Sequence, residues 1–165
     1  MKILFICTAN CARSAMAEIY FRHLCQQNSL SQDVSCESAG INVKDISPII
    51  EETDGVVESP IPEEARDIMK GLELSLEHHI PRQISVDLVE DADAIVCMTK
   101  EQQKYITDKF KDESDGKTRL LLSLVGNEDD LDDPHRGDME TFEHCFLTMM
   151  PALAELADRI IRSAR

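Results

Sequence analysis

Short apolar segments alternate with segments of helical periodicity along this chain. The apolar runs predict strands at residues 2–7, 34–39, 94–98 and 119–124. Apolar residues spaced three and four apart predict helices at residues 14–27, 63–71, 85–90, 100–109 and 139–162. This alternation predicts an α/β fold, a three-layer sandwich in which a four-stranded parallel sheet carries helices on both faces.

The final helical segment has the clearest apolar face, which we expect to pack on the sheet. That face comprises Phe142, Cys145, Phe146, Met149, Leu153, Leu156, Ile160 and Ile161. Pro151 lies inside the segment and is expected to kink or split the helix. Residues 41–62 and 112–117 are rich in charged and turn-forming residues, and are predicted to be surface loops.

Composition narrows the class of protein. A length of 165 residues predicts a single domain over residues 1–165. Because no apolar run approaches the roughly 20 residues of a membrane span, no membrane insertion is expected. A net charge of −15 argues against nucleic acid as a partner. The six cysteines lack the spacing of a disulfide scaffold or a zinc site, which favours free thiols in a cytoplasmic protein. A monomer is favoured, although the sequence gives no direct reading of oligomeric state.

The end of the first predicted strand has the pattern of an oxyanion-binding loop. Cys7 ends the strand, and Arg13 follows six positions later where a helix begins. The five residues between them suffice to wrap backbone N–H groups, a helix N-terminus and a guanidinium around one tetrahedral anion. Asn10 can adopt the left-handed conformation that such a turn needs. The same groups would stabilise a Cys7 thiolate, a strong nucleophile.

A cysteine that attacks a phosphate ester needs a separate acid for the leaving oxygen. The best candidate is Asp133, in a loop that follows the last predicted strand. Pro134 stiffens this loop, and Gly137 ends it before the final helix. At the carboxyl edge of a parallel sheet, this loop and Cys7 would lie close together.

These residues resemble the low-molecular-weight protein tyrosine phosphatases. The loop of that family typically reads Cys-x-Gly-Asn-x-Cys-Arg-Ser-Pro and precedes a Met/Ile-Ala-Glu helix start. Matching blocks occur in family order over nearly the whole chain, residues 41–62 and about 109–128 excepted. They are Cys7-Thr8-Ala9-Asn10-Cys11-Ala12-Arg13-Ser14, Met16-Ala17-Glu18, Ser38-Ala39-Gly40, His79-Ile80-Pro81-Arg82-Gln83, Ala92-Asp93, Met98, and Asp133-Pro134 with Gly137.

The resemblance implies hydrolysis of phosphotyrosine in proteins through a cysteinyl-phosphate. Cys7 would be the nucleophile, Arg13 the phosphate clamp, and Asp133 first the acid and then the base. The other phosphate-binding residues would be Thr8, Ala9, Asn10, Cys11, Ala12 and Ser14. Ser38 and His79 would belong, with Asn10 and Ser14, to a hydrogen-bond network that shapes the loop. No metal or organic cofactor is required, and the partner is a phosphorylated protein substrate.

The sequence departs from the family at two places. Cys11 and Ala12 invert the usual order, so the second loop cysteine is missing from its place. Cys11 is interpreted as an apolar wall of the pocket, and a strained disulfide with Cys7 is the alternative. The family's tyrosine enzymes follow the Asp-Pro pair with an aromatic residue, but His135 stands there. Ring stacking on a phenol is thereby weakened.

Three alternatives remain. Protein-arginine phosphatases resemble this family and carry a threonine at position 11, where the tyrosine enzymes usually have isoleucine; Cys11 matches neither. The acidic segment 41–62 could accept a basic substrate, although a solvated loop is the plainer interpretation. Arsenate reductases of the same fold use two further cysteines after the third strand, whereas Cys97 lies inside that strand here. The third alternative is a non-catalytic phosphate-binding module.

Overall fold

The computed structural model describes residues 1–43 and 60–163. Within them lie the strands β1 (Lys2–Cys7), β2 (Ser35–Gly40), β3 (Ala94–Cys97) and β4 (Thr118–Leu120). The helices are α1 (Arg13–Gln27), α2 (Glu63–Gly71), α3 (Val86–Asp91), α4 (Lys100–Lys109) and α5 (Met139–Ser163). A 3₁₀ turn spans Leu122–Val125.

The four strands form one parallel sheet in the order β2-β1-β3-β4. The central strand β1 pairs Ile3 with Cys36 of β2 and with Ala94 of β3. Because the chain crosses from β1 to opposite sides of the sheet, the carboxyl end of β1 lies at the switch point where ligands bind in such folds. Cys7 is the last residue of that strand.

Two apolar cores cover the two faces of the sheet. Alternate residues of β1 point to opposite faces: Phe5 packs with α1, α2 and α5, whereas Leu4 and Ile6 pack with α3 and α4. Phe5 also makes an edge-to-face contact with Phe21, at 5.5 Å between ring centroids. The predicted fold class, a three-layer α/β sandwich with helices on both faces, is confirmed.

Several boundaries differ from the predicted ones by one residue. The structure moves β2 from 34–39 to Ser35–Gly40, ends β3 at Cys97, starts α1 at Arg13, and shifts α3 to Val86–Asp91. Ser85 is the N-cap of α3, since its side chain accepts the Leu88 N–H. The predicted turn at 112–117 is confirmed. Of the predicted loop at 41–62, residues 44–59 lie outside the described residues.

The predicted strand at residues 119–124 is wrong beyond Leu120. Leu121 adopts a helical conformation, and residues 122–125 form the 3₁₀ turn, which Gly126 ends at a φ of 77°. A short run of leucines buries equally well as strand or as helical turn, so periodicity could not separate them.

Pro151 does not split the last helix, which runs without a break from Met139 to Ser163. Met149 and Leu153, on either side of the proline, are fully buried in the core. Their packing offsets the hydrogen bond that the proline removes.

Candidate active site

The cysteine loop (residues 7–13) connects the end of β1 to the start of α1. Asn10 has a φ of 59°, the left-handed conformation predicted for it, and it turns the chain back toward the helix. The N-cap of α1 is Ala12, whose methyl group cannot cap backbone N–H groups. The first N–H groups of the helix therefore stay available to an anion at this end.

The backbone of Gly40 packs directly behind the cysteine loop. A Cβ atom at Gly40 would lie 2.7 Å from the carbonyl oxygen of Thr8 and 2.9 Å from the carbonyl carbon of Ala9. The Ile41 N–H donates to the Cys7 carbonyl at 3.1 Å. Glycine at the end of β2 thus lets the second strand approach and support the loop.

Two donors converge on the Cys7 sulfur. The Asn10 N–H lies 3.1 Å from Sγ, and the Ser14 Oγ lies 2.9 Å from it. Cys7 itself is 3% exposed, so these contacts are shielded from water. Both donors are thus directed at the sulfur that the sequence predicts as the nucleophile.

The direction of each hydrogen bond behind Cys7 follows from a buried carboxylate, Glu18. A carboxylate only accepts, so the Ser38 hydroxyl donates to Glu18 Oε2 at 2.6 Å. Ser38 Oγ in turn accepts from Asn10 Nδ2 at 2.8 Å, and the same amide nitrogen donates to Ser14 Oγ at 2.9 Å. Ser14 is left with its own proton to donate to the sulfur of Cys7.

His79 holds the cysteine loop from a third element. Its Nε2 donates to the Asn10 carbonyl oxygen at 2.9 Å, and the Arg82 N–H donates to Asn10 Oδ1 at 3.0 Å. Burial lowers the pKa of His79 below its usual 6.5, opposed by the hydrogen bond to Asn10 and by the charge of Glu18. The neutral ring is therefore the favoured form. The structure brings the predicted network of Asn10, Ser14, Ser38 and His79 together.

Arg13 and Asp133 meet at the mouth of the cysteine loop. The Arg13 guanidinium is buried, and its Nη1 donates to the Leu131 carbonyl at 3.0 Å. Its Nη2 forms an ion pair with Asp133 Oδ2, whose side chain is 48% exposed. The other Asp133 oxygen accepts from the His135 N–H at 3.1 Å. Asp133 lies in the acid loop (residues 131–137) and faces the guanidinium that follows Cys7 in the chain.

The acid loop is closed by a tight turn. The Gly137 N–H donates to the Pro134 carbonyl at 2.8 Å, and a Cβ atom on Gly137 would lie 2.9 Å from that oxygen. Arg136 has a φ of 63°, which completes the reversal before α5. Pro134 and Gly137 thus take the positions predicted from their sequence pattern.

The sequence profile described as low molecular weight phosphotyrosine protein phosphatase matches residues 2–165. The chain belongs to this family. The protein-arginine-phosphatase of Bacillus subtilis is 27% identical over all of both chains. The low molecular weight protein-tyrosine-phosphatase Etp of Escherichia coli is 28% identical over 97% of this chain and 95% of its own. A YwlE mutant from Bacillus subtilis superposes with a TM-score of 0.82, at 25% identity, over 97% of this chain and 98% of its own.

All six cysteines of this low-molecular-weight phosphatase, Cys7 and Cys11 included, are free thiols in the structure. Burial, helped by the charges of the nearby Cys7 and Asp133, raises the pKa of Cys11 to about 11. Cys11 is 9% exposed, as expected for a wall of the pocket. Cys97 lies fully buried inside β3.

The sequence-based prediction did not assign a role to two residues that contact this site. Glu18 enters the sequence pattern only within the helix start Met16-Ala17-Glu18, and Gln102 lies outside the matching blocks. Gln102 did carry a signal, because Thr99-x-x-Gln102 is the pattern of a capping box, and the structure contains that capping box at the start of α4. Contact of Gln102 with the cysteine loop could not have been derived from that pattern.

Within residues 1–43 and 60–163, no three His, Cys, Asp or Glu side chains are grouped so that they could hold a metal ion. In the same part of the chain, no helix has the length and apolar character needed to cross a membrane.

Proposed function

We propose that this phosphatase hydrolyses phosphotyrosine in proteins through a cysteinyl-phosphate, with Cys7 as nucleophile. The observation that carries the proposal is the Arg13–Asp133 ion pair beside a sulfur that already accepts two hydrogen bonds. A nucleophile, a cation for the phosphoryl oxygens and a carboxyl group are thus within one site. Thr8, Ala9, Cys11 and Ala12 complete the loop whose N–H groups would face the bound phosphate.

In the first step, the Cys7 thiolate attacks phosphorus and the bond to the phenolic oxygen breaks. The leaving oxygen takes a proton from the Asp133 carboxyl group, so tyrosine departs neutral. Arg13 and the loop N–H groups hold the equatorial oxygens, where negative charge is concentrated in the transition state.

Binding of phosphate would exchange one anionic partner of Arg13 for another. The guanidinium now pairs with Asp133, and a phosphoryl dianion at the loop would compete for the same Nη2 group. Once released, the Asp133 carboxylate can take up the proton that the first step requires. The bond from Arg13 Nη1 to Leu131 keeps the guanidinium in place during the exchange.

In the second step, water attacks the cysteinyl-phosphate and the sulfur–phosphorus bond breaks. Asp133, now ionised, accepts the proton of the attacking water, and inorganic phosphate leaves as Cys7 returns to the thiolate. Ser14 donates a hydrogen bond to the departing sulfur. The same residues therefore serve both halves of the cycle, with no further reactant than water.

Protein-arginine phosphatase is the second candidate, and the distribution of aromatic residues favours it. All seven aromatic residues lie outside the acid loop and outside residues 41–62. They are Phe5, Tyr20, Phe21, Tyr105, Phe110, Phe142 and Phe146. A phosphotyrosine ring would therefore lack an aromatic clamp in these two segments, whereas a phosphoguanidine needs none. A relative named for this activity matches the chain over its full length.

Arsenate reduction is supported less well. That reaction needs thiols that pass electrons onward from the active-site cysteine. Burial raises the pKa of Cys97 strongly, and it raises the pKa of Cys145 to about 12. Both therefore stay protonated and poorly nucleophilic near neutral pH.

The test is turnover of para-nitrophenyl phosphate with a metal chelator present, followed by rates on matched phosphotyrosine and phosphoarginine peptides. We expect Cys7→Ser to abolish turnover and to retain phosphate binding. The control Cys25→Ala, on the far part of α1, should retain turnover. Persistent turnover by Cys7→Ser would contradict the mechanism. A faster rate on phosphoarginine peptides would select the second candidate.

A further inference from the structure

Four hydrogen bonds connect the two ends of the cysteine loop through the rest of the site. Gln102 Nε2 donates to Thr8 Oγ1 at 3.3 Å, and Gln102 Oε1 accepts from the Met98 N–H at 3.0 Å. The Met98 carbonyl accepts from the Leu131 N–H at 2.8 Å, and the Leu131 carbonyl accepts from Arg13 at 3.0 Å. Since Thr8 and Arg13 belong to the same loop, these contacts form a closed ring.

The orientation of the Gln102 amide is fixed by its surroundings. Its oxygen accepts from two backbone groups, the Met98 N–H and the Thr99 N–H at 3.1 Å. Because an amide nitrogen cannot accept those bonds, Nε2 must face Thr8. The side chain is 2% exposed, so water does not compete for these contacts. Gln102 is therefore a rigid link from α4 to the cysteine loop.

The ring also contains the segment that carries the acid. Leu131 lies two positions before Asp133, and the preceding residue Asp130 accepts the Lys100 N–H at 2.7 Å. Both contacts attach the start of the acid loop to the junction between β3 and α4. Gln102 holds that junction to Thr8, so a displacement of Gln102 moves the acid loop relative to the cysteine loop.

We propose that Gln102 is a positioning residue that sets the distance between the acid loop and the cysteine loop, acting through Thr8. This inference rests on the proposed function, because it gives Gln102 its effect through Asp133. The side chain of Thr8 is exposed, whereas its neighbours Cys7 and Ala9 are buried. Its hydroxyl oxygen accepts from Gln102, so Thr8 is the point at which α4 holds the cysteine loop.

The experiment compares Gln102→Leu with Gln103→Leu, the same change at the next, half-buried position of α4. Rates are measured on phenyl phosphate, which needs protonation of its leaving group, and on para-nitrophenyl phosphate, which needs it less. For Gln102→Leu we expect kcat on phenyl phosphate to fall about tenfold, and kcat on para-nitrophenyl phosphate to fall much less. Gln103→Leu should leave both rates unchanged.

Two further variants separate positioning from damage to the fold. Thr8→Val, at an exposed position, should produce the same selective loss and should not add to Gln102→Leu in the double variant. In an Asp133→Asn background, Gln102→Leu should have no further effect on kcat. Equal losses on both substrates, or additive losses in the double variant, would overturn the proposal.

Hydrogen exchange tests the ring without turnover. We expect the Leu131 amide to exchange about tenfold faster in Gln102→Leu and at the unchanged rate in Gln103→Leu. Unchanged exchange in both variants would overturn the inference even if the enzyme hydrolyses phosphate esters. Faster exchange in a protein that lacks turnover on every substrate would support the ring but contradict the proposed function.

Discussion

The Asp133 carboxylate is paired with the Arg13 guanidinium, 120 positions earlier in the chain, at the mouth of the cysteine loop. The neighbouring Asp132 has a different environment, since its backbone carbonyl accepts from the buried thiol of Cys145 at 3.5 Å. Of these two adjacent acidic residues, the ion pair therefore distinguishes Asp133 as the candidate acid.

Replacement of Asp133 by Ala should slow turnover of phenyl phosphate by about 10²–10⁴-fold, the usual loss when a general acid is removed. Asp132→Ala is the matched control and should retain most of the activity. The measurement is kcat at saturating substrate. Substrate should still bind through Arg13 in this variant, so the loss should lie in kcat. If Asp132→Ala shows the large loss and Asp133→Ala does not, the acid is wrongly assigned.

Alkylation should distinguish Cys7 from the other five cysteines. Burial is the main cause that raises the pKa of Cys25, that of Cys11 to about 11, and those of Cys36 and Cys145 to about 12; it raises the pKa of Cys97 strongly. These five thiols therefore stay protonated near neutral pH. The sulfur of Cys7, by contrast, is contacted by the Asn10 N–H and the Ser14 hydroxyl. We expect iodoacetate to modify Cys7 alone, at a rate that inorganic phosphate lowers, as measured by peptide mass spectrometry. Modification spread evenly over several cysteines would contradict this prediction.

The candidate site residues could be predicted from the sequence because they are local or follow a known pattern. Cys7, Asn10 and Arg13 lie within one turn, and the apolar run before them indicated the strand that presents them. The role of the Glu18 carboxylate at the end of the hydrogen-bond network could not be predicted in this way. Ser38 reaches Glu18 only because β2 packs against α1, and that contact depends on tertiary structure.

The length of β4 could not be predicted from the sequence either. Leu120, Leu121, Leu122 and Leu124 are all buried, which satisfies a strand and a helical turn equally. The distinction depends on Gly126, whose positive φ ends the 3₁₀ turn, and on the Ser123 hydroxyl, which donates to the Leu120 carbonyl at 2.7 Å. Hydrophobicity predicted the burial of this segment but not its backbone conformation.

Replacement of Gly40 by Ala should impair the cysteine loop although residue 40 carries no reacting group. The added Cβ would meet the backbone of Thr8 and Ala9 below 3.0 Å, and backbone atoms cannot rotate away as a side-chain end can. We expect a lower kcat and weaker protection of Cys7 by phosphate. Gly71→Ala is the control, because a Cβ there meets no atom within 4 Å. Equal activity of both variants would refute the supporting role of Gly40.

His79 should make the stability of the fold depend on pH. Burial lowers the pKa of His79 in the folded state below its usual value of 6.5, so the unfolded chain takes up a proton first as the pH falls. The stabilising contribution is therefore complete above about pH 6.5, and it is lost as the pH falls through the lower folded-state pKa. Urea unfolding at a series of pH values measures this change.

His79→Gln offers the matched variant, since its amide nitrogen can still donate to the Asn10 carbonyl but carries no titrating group. We expect its free energy of unfolding to vary less between about pH 7.5 and pH 5 than that of the wild type. His78→Asn, at the exposed neighbouring position, should keep the wild-type dependence. If His78→Asn flattened the pH dependence and His79→Gln did not, the half-buried ring of His79 would not be the group whose protonation destabilises the fold.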